Sequence, residues 1–303
     1  MTQPASQSTS YVATLIAAPG RLDAGALAHA RAALPGAGEP RWLAPDAAAD
    51  IPFSANPGGD QRALADAVRA LVPGTDVVAQ PAANRRKRLF LADMDSTMIG
   101  QECIDELAAF VGLKEHVAAI TERAMRGEIE FEPALRERVA LLKGLPAAVV
   151  DEVIAKHITL TPGARTLVAT MRAHGAYTCL VSGGFTLFTG PIAAAIGFDE
   201  TRANSLVIAD GTLVGAVDEP IFGRDGKRAT LIELRTRLGL GPGDTMATGD
   251  GANDLAMIAE AGLGVAYHAK PKVAQAAAAR IEHNDLTALL YAQGYSRDEF
   301  VEA

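Results

Sequence analysis

Carboxylates that could carry chemistry follow a short apolar run near residue 90. This run, residues 89–92, has the composition of a buried strand, and Asp93 and Asp95 come directly after it. Side chains alternate in an extended segment, so Asp93 and Asp95 face one side and Met94 faces the other. Two carboxylates therefore share one face at the end of a predicted strand.

Two later loops carry residues of a related kind. Ser182-Gly183-Gly184 follows the apolar run 176–181 and offers a hydroxyl and flexible backbone amides. The segment 249–254, Gly-Asp-Gly-Ala-Asn-Asp, follows the run 244–248 and adds two carboxylates and an amide. Ligands of an open α/β sheet bind beyond the carboxyl ends of its strands, where helix N-termini and loop amides converge. We therefore expect the three loops to face one site.

Four carboxylates, those of Asp93, Asp95, Asp250 and Asp254, would repel one another at such a site. A like-charge pair about 4 Å apart costs about 4 kcal/mol at an effective dielectric constant of 20, and a dication removes that cost. Oxygen ligands without His or Cys suit a hard metal, and few carboxylates with room for water favour Mg²⁺ over Ca²⁺. For the loop 249–254 alone the alternative is an ordinary turn, since Asp, Asn and Gly are common turn residues.

The elements that must hold these loops form an α/β pattern from about residue 88 onward. Short apolar strands alternate with helices, which is typical of a parallel sheet, and residues 263–266 add a fourth strand. Residues 100–161 show helical periodicity without a strand. A crossover needs only about a dozen residues, so this segment is predicted to be an inserted helical cap above the end of the first strand. Two alternating runs within residues 204–217, around Asp210-Gly211, predict a hairpin.

The first 85 residues have a different pattern. Strands and helices are predicted in the order βαββαβ, an α+β arrangement, at residues 11–16, 22–34, 41–44, 48–53, 60–71 and 75–79. Residues 81–84 and the basic run Arg85-Arg86-Lys87-Arg88 then read as a linker with a solvated basic face.

Composition narrows the class of protein. The 303 residues are enough for about two domains, and 49% apolar content supplies their cores. The net charge of −8 disfavours nucleic acid, and no apolar stretch of about 18 residues predicts a membrane span. Two cysteines, Cys103 and Cys179, suit a reducing compartment, and the N-terminal residues lack a secretory pattern, so the expected location is cytoplasmic. Walker, dinucleotide-binding and serine-hydrolase motifs each lack a required residue.

The chemistry-bearing residues resemble, in order and in strand context, the four motifs of haloacid dehalogenase-type phosphatases. The matching segments are Asp93-x-Asp95-Ser96-Thr97, Ser182-Gly183-Gly184-Phe185, Lys227 and Gly249-Asp250-Gly251-Ala252-Asn253-Asp254. The resemblance covers residues 88–295. It implies a Rossmann-like core in residues 86–303 with a helical cap at about 100–161, and an ACT-like accessory domain in residues 1–85.

The resemblance also implies how the motif residues act. Asp93 would attack phosphorus to form an aspartyl-phosphate, while Asp95 would protonate the leaving oxygen and then accept a proton from water. Ser182, the Gly183 amide and Lys227 would hold the phosphoryl oxygens.

The same resemblance implies the ligands of Mg²⁺. They are Asp93, Asp250 and the backbone carbonyl of Asp95, with Asp254 acting partly through water.

Strings in the cap, such as Ala124-Met-Arg-Gly127 and Leu135-Arg-Glu-Arg138, resemble those of family members that act on phosphoserine. Glu102 would meet the ammonium of phosphoserine, and Arg138 would pair with its carboxylate. Met125 and Phe131 would close an apolar wall, and Asn253 would add an amide to the substrate site. The alternatives are a helix-start acid for Glu102, a surface cluster for Arg138, and cap core for Met125 and Phe131.

The expected function is therefore hydrolysis of phosphoserine, a small-molecule substrate. Two alternatives stay open: a phosphatase or phosphotransferase for another small phosphomonoester, and a non-catalytic amino-acid-binding regulator. A homodimer is a further possibility that the sequence leaves undecided.

Overall fold

The computed structural model describes residues 9–55 and 60–302. The N-terminal residues that argue against a secretory signal lie outside this range. The first region consists of β1 (Thr9–Ile16), α1 (Ala24–Ala33), β2 (Arg41–Ala44), β3 (Ala48–Ala55), α2 (Gln61–Leu71) and β4 (Asp76–Pro81). Its antiparallel sheet has the order β2-β3-β1-β4, so the predicted α+β, βαββαβ arrangement is confirmed.

The rest of the chain is an α/β domain built on a parallel sheet. In chain order its strands and helices are β5 (Leu89–Ala92), α3 (Cys103–Ala109), α4 (Lys114–Met125), α5 (Phe131–Ala140), α6 (Val149–Lys156), α7 (Ala164–Ala173), β6 (Tyr177–Phe185), α8 (Thr186–Ile196), β7 (Glu200–Asn204), β8 (Leu206–Ala209), β9 (Thr212–Val217), α9 (Arg224–Arg237), β10 (Thr245–Gly249), α10 (Leu255–Glu260), β11 (Leu263–Tyr267), α11 (Pro271–Ala276), β12 (Ala279–Ile281) and α12 (Ala288–Ala292). The sheet order is β12-β11-β10-β5-β6-β7, with every pairing parallel.

Strand β5 lies inside this sheet and is apolar at every position because helices cover both of its faces. Phe90 and Ala92 pack into the cluster that includes residues of α7 and α8. Leu89 and Leu91 pack on the other face with residues of α9 and α10. Asp93 is therefore held at the end of a strand that is fixed from both sides.

Helices α3–α6 form the cap between β5 and α7, as predicted. The hairpin of β8 and β9 reaches the cap from the core, because Gly144 N–H donates to the Leu213 carbonyl at 2.8 Å and Leu213 N–H donates to that of Leu145 at 2.9 Å. No helix within residues 9–55 and 60–302 combines the length and the apolarity that a bilayer crossing needs.

The structure corrects several boundaries of the predicted elements. The sheet has two edge strands that were not predicted, β7 and β12, because Glu200–Asn204 is largely polar and Ala279–Ile281 is very short. Asn204 was predicted to begin the hairpin, but it ends β7. Strand β6 continues through Ser182 and Gly183 to Phe185, where the prediction ended it at residue 181.

The prediction of a solvated basic face for residues 85–88 is wrong for Arg85 and Lys87. The Arg85 guanidinium donates to both carboxylate oxygens of Asp50, in β3, at 2.7 Å. Lys87 is buried and its ammonium donates to the carbonyls of Asn84 and Gly243 at 2.7 and 2.8 Å. Cations are buried where they find oxygen partners, and two of the partners here, Asp50 and Gly243, come from distant parts of the chain.

A second polar contact joins the two regions. The buried carboxylate of Asp76, at the start of β4, accepts hydrogen bonds from the backbone N–H groups of Glu282, His283 and Asn284 and from the Asn284 side-chain amide. Three backbone donors of the second region are therefore satisfied by one side chain of the first.

Candidate active site

A buried cluster of three carboxylates and one ammonium lies beyond the ends of β5 and β10. Oxygens of Asp93, Asp250 and Asp254 lie within 4.8 Å of one another. The Lys227 ammonium, which is fully buried, lies 2.6 Å from Oδ1 of Asp93 and 2.7 Å from Oδ1 of Asp254. The sequence brings these four residues from three separate segments to one point.

A glycine and a threonine beside this cluster support its carboxylates. A Cβ at Gly249 would lie 2.3 Å from Cγ of Asp254, so only glycine lets this carboxylate lie against the end of β10. The Thr97 hydroxyl donates to Oδ1 of Asp250 at 2.9 Å. Thr97 belongs to the first motif, but no local sequence pattern indicates this contact.

The pKa values of the cluster reflect its burial and its mutual repulsion. Burial, and then the charge of Asp254, raises the pKa of Asp93 well above its usual range. The same two causes raise the pKa of Asp250 to about 7. Burial disfavours the charged form of Lys227, but the attraction of Asp254 and Asp93 outweighs it and raises the pKa of Lys227.

The donor set of this cluster fits a hard dication. Its side-chain ligands are all carboxylate oxygens, without His or Cys. Three carboxylates and one ammonium carry two formal negative charges in a buried space, where burial and then the charge of Asp254 raise the pKa values of Asp93 and Asp250. The carboxylate of Asp95 does not belong to the group, so any contribution of Asp95 to a metal would come from its backbone.

Asp95 is held beside the cluster by two donors. Its Oδ1 accepts a hydrogen bond from the Cys103 backbone N–H at 2.7 Å, and its Oδ2 accepts one from the Ser182 hydroxyl at 3.0 Å. Ser182 Oγ in turn accepts from the Gly184 N–H at 2.8 Å. Asp95 and the Ser182 loop are thereby fixed relative to each other.

A pocket separates the cluster from the cap. Its walls come from both parts of the domain: Asp93, Asp95, Glu102, Ile104, Met125, Phe131, Leu135, Arg138, Gly183, Gly184, Phe185 and Asn253. The structure thus brings the predicted site residues Glu102, Met125, Phe131, Arg138 and Asn253 to one space with Asp93. Ile104, Leu135 and Phe185 line it as well and were not predicted.

Two glycines mark where the cap meets the core loops. A Cβ at Gly183 would lie 2.6 Å from the Phe131 ring, and a Cβ at Gly251 would lie 2.8 Å from Sδ of Met125. Phe131 and Met125 therefore approach the loops as closely as they do only because these positions have no side chain.

Charged groups of opposite sign, Glu102 and Arg138, both line this pocket. Oε1 of Glu102 accepts a hydrogen bond from the Ser96 hydroxyl at 2.7 Å, and burial followed by repulsion from Asp95 raises the pKa of Glu102 well above its usual range. Arg138 is buried at the pocket, whereas Arg136 is exposed and pairs with Glu219. Helical spacing places the two arginines on different faces of α5.

Two asparagines complete the site, and one of them was missed from the sequence. Asn253 Oδ1 is buried without a hydrogen-bond partner among the described residues. The buried amide of Asn204 donates to the carbonyls of Gly183 and Phe222, both at 2.9 Å, and accepts from the Phe222 N–H at 2.6 Å. It joins the Gly183 strand to the segment that precedes Lys227, a role that no local sequence signal indicates.

The capped parallel sheet and its buried aspartate and lysine cluster define the class as a hydrolase of the haloacid dehalogenase-like type. The model of the family "haloacid dehalogenase-like hydrolase" matches residues 90–259, more than half of the chain, and the chain belongs to this family.

Similar proteins narrow the class further. The phosphoserine phosphatase of Polaromonas sp. is 50% identical over 208 residues, which are 67% of this chain and 88% of that protein. A solved structure described as a phospho-aspartyl intermediate analogue of phosphoserine phosphatase is 40% identical with a TM-score of 0.65, covering 68% of this chain and 98% of that one. A haloacid dehalogenase family hydrolase from Salmonella enterica serovar Typhi is 29% identical with a TM-score of 0.81, covering 96% of this chain and 99% of that one.

Proposed function

We propose that this chain is a phosphoserine phosphatase, which hydrolyses O-phospho-L-serine to L-serine and phosphate in the last step of serine biosynthesis. The observation that carries the proposal is that Glu102 and Arg138 line the same pocket as Asp93. A carboxylate and a guanidinium in one pocket complement the ammonium and the carboxylate of an amino acid. The similarity to phosphoserine phosphatases supports the same substrate.

In the first half-reaction, a carboxylate oxygen of Asp93 attacks phosphorus while the bond from phosphorus to the serine oxygen breaks. Asp95, whose other oxygen accepts a hydrogen bond from the Cys103 N–H, gives its proton to the serine oxygen. Ser182, the Gly183 N–H and Lys227 would hold the phosphoryl oxygens, whose spread charge makes electrostatic positioning the main contribution.

In the second half-reaction, water attacks the phosphorus of the aspartyl-phosphate. Asp95, now a carboxylate, takes the proton of this water, and the bond from phosphorus to the Asp93 oxygen breaks. One side chain thus serves as acid and then as base, and Asp93 is regenerated.

The cluster would hold Mg²⁺ through Asp93, Asp250 and Asp254 and through the backbone carbonyl of Asp95. When bound, Mg²⁺ would neutralise the repulsion between the phosphate and the carboxylates. The oxygen-only ligands and the net negative charge of the cluster support this assignment.

The pocket walls would select the substrate. Glu102 would bind the ammonium, Arg138 the carboxylate, and the buried Oδ1 of Asn253 would accept a hydrogen bond from the bound molecule. Met125 and Phe131 would exclude water from the reacting groups.

We also propose that residues 1–85 form an ACT-like accessory domain and residues 86–303 the phosphatase domain, with the cap at about 100–161. The separate antiparallel sheet supports the division.

The buried free thiols of Cys103 and Cys179 support a cytoplasmic location. A homodimer stays a prediction, which light scattering of the purified chain tests.

Turnover of phosphoserine, phosphothreonine and sugar phosphates at matched Mg²⁺ concentrations tests the function. We expect the highest kcat/KM for phosphoserine, and Arg138→Ala should raise KM for phosphoserine while Arg136→Ala, its exposed neighbour, should not. A preference for sugar phosphates would indicate a phosphatase for another phosphomonoester. The absence of turnover with any of them would favour the binding-protein alternative.

A further inference from the structure

Arg138 is held in one orientation by two contacts within the cap. Its Nε donates to the Ala134 carbonyl at 3.0 Å, one turn earlier in α5, and its Nη1 donates to the Thr121 hydroxyl at 2.9 Å. The guanidinium is planar, so two fixed N–H groups set the direction of the remaining ones. The remaining N–H groups have no hydrogen-bond partner among the described residues, and Arg138 lines the pocket.

Thr121 is itself fixed by its place in α4. It is buried, and its hydroxyl lies 2.7 Å from Oδ1 of Asp105 and 3.0 Å from the Val117 carbonyl. A hydroxyl has one proton and two lone pairs. Because both neighbours are acceptors, the proton points away from Arg138 and a lone pair faces the Nη1 donor.

Asp105 supplies the carboxylate that accepts the hydrogen bond from the Thr121 hydroxyl. It lies on α3, so Asp105, Thr121 and Arg138 connect three different cap helices through two hydrogen bonds. Asp105 and Thr121 are not among the residues that line the pocket, whereas Arg138 is. Their contact with a substrate would therefore be indirect, through the guanidinium alone.

We propose that Thr121, oriented by Asp105, is a positioning residue that aims Arg138 at the carboxylate of the substrate. The inference rests on the proposed function, in which Arg138 binds that carboxylate. It assigns substrate specificity to a residue outside the pocket, whose hydroxyl fixes a bidentate donor before the substrate arrives. Such preorganisation lowers the cost of binding only for ligands that use the guanidinium.

The test compares Thr121→Val with Thr121→Ser on two substrates. Phosphoserine carries the carboxylate, whereas phosphoethanolamine keeps the ammonium and the phosphate and lacks the carboxylate. Valine has the shape of threonine without the hydroxyl, so Thr121→Val should raise KM for phosphoserine about 10- to 100-fold, with kcat within about threefold of wild type. KM for phosphoethanolamine should change by less than about threefold, and Thr121→Ser should restore KM for phosphoserine.

A matched control is Thr236→Val in α9, where the hydroxyl donates to the carbonyl one turn earlier, Ile232, at 2.8 Å and the side chain is exposed. It should leave both KM values unchanged. If Thr121→Val raised KM equally for both substrates, or changed neither, the positioning role would be overturned. A wild-type enzyme without a preference for phosphoserine over phosphoethanolamine would instead refute the proposed function itself, so the two failures are distinct.

Discussion

Replacing Lys227 by Met removes the ammonium that contacts Asp93 and Asp254 in the carboxylate cluster. Lys227 contacts Asp93 at 2.6 Å and Asp254 at 2.7 Å, and all three side chains are buried. Unit charges 3 to 4 Å apart attract by about 4 to 6 kcal/mol at an effective dielectric constant of 20, and desolvation of the ammonium offsets part of this. Breaking a buried pair from one side costs about 3 to 5 kcal/mol. At about 2 °C per kcal/mol for a chain of this size, Tm should fall by about 6 to 10 °C at pH 7 without metal.

The sign of the pH dependence follows from the carboxylates that remain. Their folded-state pKa values, already raised by burial in the wild type, rise further without the ammonium, while those of the unfolded chain stay near 4. The folded variant therefore binds more protons than the unfolded chain at pH 5, and this stabilisation is lost as the pH rises through the folded-state pKa. The loss of unfolding free energy in Lys227→Met, relative to wild type, should be smaller at pH 5 than at pH 7, by as much as about 3 kcal/mol per additional proton bound.

Calorimetric or fluorescence-detected unfolding in EDTA at pH 5 and pH 7 measures this difference. Lys87→Met is the matched control, because Lys87 is also buried but its ammonium donates to two backbone carbonyls. Its cost should be nearly equal at the two pH values. An equal loss for Lys227→Met at pH 5 and pH 7 would refute the view that Lys227 neutralises the cluster.

Three further outcomes are expected. Burial and the charge of Asp254 raise the folded-state pKa of Asp250 to about 7, so wild-type protein in EDTA should lose on the order of 3 kcal/mol of unfolding free energy as the pH rises from 4 to 8. Mg²⁺ should remove this loss. A thermal-shift profile in EDTA that stays flat over this pH range would contradict the prediction. Asp76→Ala leaves three backbone N–H groups unpaired, so hydrogen exchange at residues 282–284 should accelerate at least tenfold, and unchanged exchange would show that Asp76 does not hold them. Asn204→Asp replaces two donated hydrogen bonds by contacts between a buried carboxylate and two carbonyl oxygens, so kcat should fall about tenfold and Tm should fall as well, and unchanged kcat would remove Asn204 from the site's support.

The parts of the site that sequence could predict are those that local patterns determine. The buried run before Asp93 is apolar at all four positions because the strand is covered on both faces, so its end, and the carboxylate after it, are visible in the sequence. The loop around Asp250 follows β10, which is buried at all five positions although two of them are threonines. Parallel strands bring such ends to one edge of the sheet, which is why the sequence predicts that Asp93, Asp250 and Asp254 lie close together.

The parts that sequence could not predict depend on partners far along the chain. Arg85 reads as a surface residue until Asp50 is placed beside it, and Asn204 reads as the start of a hairpin until the carbonyls of Gly183 and Phe222 accept hydrogen bonds from its amide. Nothing in the sequence around Thr121 distinguishes it from other helix residues, and its contact with Arg138 forms only when the cap helices pack together. Local periodicity carries no information on such pairs.

Covalent labelling of Asp93 tests the central claim most directly. Enzyme mixed with phosphoserine carrying radioactive phosphate, quenched in acid within one turnover and digested, should yield label on the peptide that contains Asp93, and Asp93→Asn should yield none. Turnover of phosphoserine at the wild-type rate by Asp93→Asn, or label on a different residue, would contradict the account.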